Sequence, residues 1–214
     1  MAESSRLKRS RKAPAARPAE LGPERIAAAA LAVVDQHGVA GFTMRAVADA
    51  LSVTPMALYH HVGDKAGLAA LVVDAASKEV TLPPPTGDWR EDMWRMAQWS
   101  RRAVQAHPNV GRLRSAYRIW TPAILLMTER WMSLWQQSGL PLKTAVRGAR
   151  MSSVAITGLI EQEMAMREMA PPDPSLLAML PSARLVFSSP PNRDADFEIV
   201  VRALLDGLHQ QLRA

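Results

Sequence analysis

Residues 42–62, FTMRAVADALSVTPMALYHHV, read as two short helices joined by a turn that leaves room only for a compact, angled pair. That geometry is one by which a protein presents a helix to DNA. Thr43 is placed to cap the first helix, and Met44, Val47, Ala48 and Leu51 recur at i, i+3, i+4 and i+7, the spacing of one buried face. Arg45, Asp49 and Ala50 fall off that stripe. Thr54 opens the second helix with Pro55 at its first position, where the missing proline N–H costs nothing. Leu58 and Val62 turn inward, which leaves Pro55, Met56, Ala57, Tyr59, His60 and His61 outside, a mixture suited to touching a partner. Spacing alone is equally compatible with ordinary core packing.

The flanking sequence shifts that balance. Upstream, Pro23 to His37 carries Ile26, Ala30, Val33 and Val34 on one helical face and ends at Gly38, a natural C-cap. Downstream, Gly63-Asp64-Lys65 breaks the chain, and Asp64 is placed to cap a longer helix bearing Leu68, Leu71 and Val72.

In this order, a supporting helix, FTMRAVADALSV, TPMALYHHVGDKAGL and a long connecting helix, the chain resembles the DNA-binding domain of the tetracycline-repressor (TetR) family. Leu58, Tyr59, His61, Val62 and Lys65 are the most diagnostic residues, and the module covers about a fifth of the chain. The resemblance implies DNA-binding roles residue by residue. Arg45 would reach a guanine edge with its bidentate fork. Pro55 and Met56, with the neighbouring Ala57, would give apolar contact to bases. Thr43, Thr54, Tyr59, His61 and Lys65 would hold phosphates, fixing register without reading sequence. His60 stands where tetracycline-binding members often carry an aromatic residue, so phosphate contact and packing both stay open for it.

Composition agrees with an all-α regulator. The 214 residues suffice for one or two domains, strand-like alternation is nearly absent, and Ala, Leu, Met, Arg and Glu recur at helical spacing. There are no cysteines, which removes disulfides and thiolate metal sites. No apolar run approaches bilayer length and no apolar region follows the basic N-terminus, so a cytoplasmic protein without a membrane partner is expected. The net charge is +6, and residues 1–20 hold six basic side chains against two acidic ones. This segment is expected to be a disordered basic arm, either a solubilising tail or a strand of charge laid along DNA. The domain reading is an arm over 1–20, a helix-turn-helix domain over 21–66, and a helical ligand-binding and dimerisation domain over 67–214.

In the last of these, TLPPPTGDW (residues 81–89) is a proline-rich break, after which Asp88 caps a helix running to about His107. Thr121-Pro122 announces another helix, ending at Gly139, and Pro141 a third, running to about Met169. The small residues Ala145, Ala149, Ser152 and Ser153, followed by Ile156, Leu159 and Ile160, would let another helix approach closely. The C-terminal stripe of Phe197, Val200, Val201, Leu204, Leu205, Leu208 and Leu212 is wider than a small core needs. Such helices from two chains would form a four-helix bundle, as TetR-like proteins do, or both stripes serve the monomer core. The expected dimer residues are Ala149, Ser153, Ile156, Ile160, Val201, Leu204, Leu205 and Leu208.

Tryptophan and methionine are concentrated in the same region, and they suit either a pocket for a hydrophobic or aromatic effector or a plain core. The candidate effector residues are Lys78, Met93, Met96, Ser100, Trp120, Met127, Trp131, Trp135, Met151 and Glu161, with Gln162 a further one. Tetracycline-binding members carry a metal-coordinating histidine at the place of Arg112 to Arg114, and this chain has none there, so magnesium-tetracycline is not the expected ligand. His60 and His61 point about 100° apart on a helix and lack a third ligand, which argues against zinc. His37, His107 and His209 have no evident Ser or Asp partner by sequence, so neither enzyme nor cofactor is expected. The expected function is a repressor that binds a palindromic DNA operator as a homodimer and is released by a small effector. The alternatives are a nonspecific architectural DNA binder and a helical ligand-binding protein or enzyme.

Overall fold

The computed structural model describes residues 21–79 and 81–213, and the basic arm expected over 1–20 lies outside them. The described residues form eleven helices and no strand. The first four are α1 (Pro23–Gly41), α2 (Met44–Leu51), α3 (Pro55–Val62) and α4 (Lys65–Glu79). Then follow α5 (Trp89–Ala106), α6 (Pro108–Tyr117), α7 (Pro122–Gln137), α8 (Leu142–Glu168), α9 (Pro174–Ala178), α10 (Pro181–Ser188) and α11 (Arg193–Arg213). The expected stop at Gly38 appears as a break inside α1, where φ is 64°, after which the chain makes one more turn to Gly41. The helix α6 is not foreseen by the sequence reading; Pro108 starts it after the single residue His107, too short a break to mark the change.

Two apolar cores organise the molecule. The first joins Ile26, Ala30, Val33 and Val34 of α1, Val47 and Leu51 of α2, Leu58 of α3, and Leu68, Val72 and Val73 of α4. Val110 and Leu113 of α6, Ile119 and Ile124 belong to this same core, which therefore continues well past residue 66. The second core contains Met93, Met96 and Ala97 of α5, Trp135 of α7, Ile156 and Ile160 of α8, and Phe197, Val201 and Leu205 of α11. Helix α7 spans both: Met127 packs against the first core and Trp131, one turn later, against the second. The helices α9 and α10 pack on each other and leave Met179, Leu185, Val186 and Phe187 exposed. No helix of the described residues is long and apolar enough to cross a membrane.

Candidate nucleic-acid interface and regulatory site

The helix pair is built by its caps. Thr43 Oγ1 accepts from the Ala46 amide at 3.0 Å, and Thr54 Oγ1 accepts from the Ala57 amide at 3.2 Å. Each hydroxyl keeps its own proton for an external acceptor, so a capping threonine at an exposed position can still donate to a phosphate. Ser52 takes the left-handed conformation (φ 56°) and sends its amide back to Ala48 and Asp49, which ends α2 and leaves a three-residue turn before Pro55.

Leu58 is fully buried and holds α3 down, while Pro55, Met56, Tyr59, His60 and His61 are exposed and Ala57 is half-buried. Met56 is 65% exposed, an unusual state for an apolar side chain on a short helix that has nothing else to cover it. Arg45 is also exposed, with Nε 3.9 Å from Asp49 Oδ2 one turn on. Lys65, expected to hold a phosphate, has aromatic neighbours within the chain. It is half-buried, and its ammonium lies 5.6 Å from the Phe42 ring and 5.7 Å from the Tyr117 ring, so attraction to both rings competes for it.

The expected effector residues do not converge on one site. Met93, Met96 and Trp135 are buried in the second core; Trp131 is half-buried against it, Met127 is half-buried against the first core, and Ser100 is half-buried on α5. Trp120 instead stands 64% exposed under the Arg114 guanidinium, because it sits in the α6–α7 connection rather than on the buried side of α7. Met151 and Glu161 fall on the outward face of α8, as does Gln162, and Lys78 is exposed and paired with Asp74 at 2.6 Å. The two α7 tryptophans are tied down by Ser152. It accepts from Trp135 Nε1 at 3.0 Å and Trp131 Nε1 at 3.1 Å, and donates to the Gly148 carbonyl at 2.7 Å. Trp131 Nε1 also reaches the Ala149 carbonyl at 3.2 Å. The N–H donors of both indoles are therefore already engaged within the chain.

The dimer assignment needs a similar correction. Ile156, Ile160, Val201 and Leu205 are buried within the single chain, and Ala149, Leu204 and Leu208 are half-buried, because both stripes are required to close the second core. Ser153 alone of the expected set is exposed. The faces turned outward carry Val146, Val154 and Gly158 on α8 and Ile199, Val200, Ala203 and Gly207 on α11.

Arg101 and the partners of His107 escaped the sequence reading. Arg101 is 8% exposed and binds Glu163 through two hydrogen bonds, Nε to Oε2 at 2.7 Å and Nη2 to Oε1 at 2.9 Å. It also donates to Asp194 at 2.8 Å, so one guanidinium ties α5 to α8 and α11. The hydrogen bond from Arg101, against the opposing effect of burial, holds the Glu163 carboxyl below the usual carboxylate range. The sequence signal was present: Arg101 continues the buried series Met93, Ala97 by one more turn. His107, between α5 and α6, lies 2.7 Å from Asp35 of α1 and 2.9 Å from Glu79 of α4.

Comparison with known proteins fits this geometry. An "HTH-type transcriptional regulator" from Saccharopolyspora erythraea is 34% identical over 110 residues, 51% of this chain. The chain spans about half the length of the first curated relatives it matches, 47% and 54%. Among solved structures, Streptomyces coelicolor ActR in complex with actinorhodin is similar at 26% identity, with 91% of this chain and 99% of that one covered and a TM-score of 0.71. BioQ with its double-stranded DNA operator is similar at 25% identity, with 89% and 99% covered and a TM-score of 0.67. Residues 26–72 match the bacterial regulatory proteins of the tetR family, and residues 82–212, more than half of the chain, match the tetracyclin repressor-like C-terminal domain. With a capped helix pair at one end and the matched helical domain at the other, the chain belongs to the TetR family of transcriptional regulators.

Proposed function

We propose that this regulator is a repressor that grips a palindromic operator as a homodimer and lets go when a hydrophobic or aromatic effector binds. The observation that carries the reading is the exposed surface of α3, where Met56, Tyr59, His60 and His61 stand clear of the fold while Leu58 anchors the helix from beneath. Arg45 on α2 extends that surface with a base-reading fork, and Thr43 and Thr54 add hydroxyl donors. One such helix covers too few base pairs for selectivity, whereas two related by a two-fold axis read half-sites roughly 34 Å apart or multiples of that.

The outward faces of α8 and α11 support the second copy. A Cβ built at Gly158 or Gly207 meets nothing within 4 Å, so both helices offer small positions where a partner backbone approaches closely. Val154, one turn before Gly158, and Ile199, about two turns before Gly207, are 70% and 66% exposed. For the effector, the seam between the two cores is the reading with most support. Met127 and Trp131 of α7 are half-buried on its two sides, against the first and second cores, and similar ActR holds actinorhodin. An effector entering that seam would part the first core from the second and so re-aim α3.

Selecting bound duplexes from a random pool tests the reading. Recovery of a palindrome, with affinity that falls when small hydrophobic or aromatic compounds are added, supports it. Binding without sequence ratio would favour an architectural binder, and no duplex binding at all would favour a ligand carrier.

A further inference from the structure

The imidazole of His107 sits between two carboxylates that belong to different parts of the fold. Nδ1 lies 2.7 Å from Asp35 Oδ2 on α1 and Nε2 lies 2.9 Å from Glu79 Oε2 at the end of α4, and the histidine side chain is 12% exposed. A neutral imidazole has one N–H and one lone pair, so it donates to one carboxylate and turns a lone pair towards the other. Only the imidazolium donates to both. The arrangement is thus complete when protonated and half-broken when neutral.

Its position makes this consequential. His107 immediately precedes α6, whose Asn109 donates to the Val34 carbonyl of α1 at 3.1 Å. The start of α6 thereby holds α1, the first helix of the DNA-binding region, through Val34 and Asp35, and the end of the connecting helix through Glu79. We propose that His107 is a proton-dependent latch that fixes the DNA-binding helices against the regulatory helices, so that operator affinity falls as pH rises and the latch opens. A fixed head spares the cost of ordering two recognition helices on two half-sites, which is the advantage a closed latch confers.

The charged groups acting on His107 are Asp35 from α1 and Glu79 from α4. The last turn of α5, residues 103–106, carries no charge, and on α6 Arg112 is directed to Asn109 and Glu168. Burial lowers the pKa of the imidazole, but the hydrogen bonds to Glu79 and Asp35 and their charges outweigh this, leaving it above the ordinary histidine value. For a raised pKa, stabilisation is full below the ordinary histidine range and is lost as pH rises through the raised value.

This inference rests on the DNA-binding reading, and the experiment separates the two. Binding of a duplex selected from a random pool is measured at fixed salt from pH 5.5 to 8.5 for the full chain and for His107→Gln and Asp35→Asn. Thermal melting is followed in parallel. The recognition surface is the same in all three proteins, so only the difference between profiles reports the latch. The wild type should lose about fivefold more affinity across the range than either variant, given that one unit of pKa difference is worth about tenfold. Its melting temperature should also fall relative to that of His107→Gln. Superimposable profiles in both measurements overturn the latch. If the wild type captures no duplex at any pH, the DNA-binding reading fails and melting alone decides the latch.

Discussion

Trp135 donates its indole N–H to Ser152 at 3.0 Å while both residues are fully buried, and the same hydroxyl serves Trp131 at 3.1 Å. The close fit depends on Gly148, one turn earlier on α8, where a Cβ would stand 2.6 Å from the Trp135 ring. Replacing Ser152 with alanine strands a buried donor, and Ser152→Ala should cost about 2 kcal/mol. Gly148→Ala should cost about 1–3 kcal/mol through overpacking. Urea unfolding monitored by tryptophan fluorescence measures both. A Ser152→Ala midpoint equal to that of the wild type would show that the indole finds another acceptor.

Arg101 holds α5, α8 and α11 together, and its loss leaves Glu163 enclosed without its bidentate partner. Arg101→Ala should destabilise by about 3 kcal/mol. The pH dependence follows from the depressed pKa of Glu163. Its contribution is present above the ordinary glutamate range and is lost as pH falls through the lowered folded value. Acid unfolding of Glu163→Gln should therefore begin from a lower stability and show a shallower slope than that of the wild type; parallel curves would remove Glu163 from the account.

Arg45→Ala should weaken binding to a selected duplex by about 1–3 kcal/mol and relax the preference at one base position. Tyr59→Phe removes only the hydroxyl, and should weaken all sequences alike and leave the preference intact. Melting curves establish that both variants are folded. Unchanged capture by Arg45→Ala would place the reading surface elsewhere.

On the outward faces, Val154→Glu combined with Ile199→Glu should convert a dimer to a monomer in sedimentation equilibrium with little change in helicity, since neither side chain belongs to the second core. Ile156→Ala, by contrast, should cost about 2–5 kcal/mol of unfolding free energy because that residue is buried within the chain. Should the double variant remain dimeric, the two copies meet through another surface.

The contrast between Ile156 and Val154 shows where the sequence was legible. Periodicity revealed that α8 has an apolar stripe, but not which neighbour covers it, since the stripe that closes the monomer and the one that faces outward are interleaved along one helix. The helix pair was easier, because Thr43, Thr54 and Pro55 act on their own next few residues and local chemistry is written locally. The effector residues were grouped by type, and packing then scattered Trp120 and Met151 to the surface. His107 had no visible partner because Asp35 and Glu79 lie 72 and 28 positions away. Arg101 does carry a sequence signal, a charged residue in register with Met93 and Ala97.

Val110 and Leu113 of α6 are buried among the side chains of the DNA-binding helices. A chain severed after α4 would therefore leave a bald apolar flank on its reading head, and grafting that head onto a relative's body succeeds only if α6 travels with it. Engineered hybrids of this regulator should be spliced beyond residue 127, where Ile124 and Met127 of α7 have completed the cover that α6 begins.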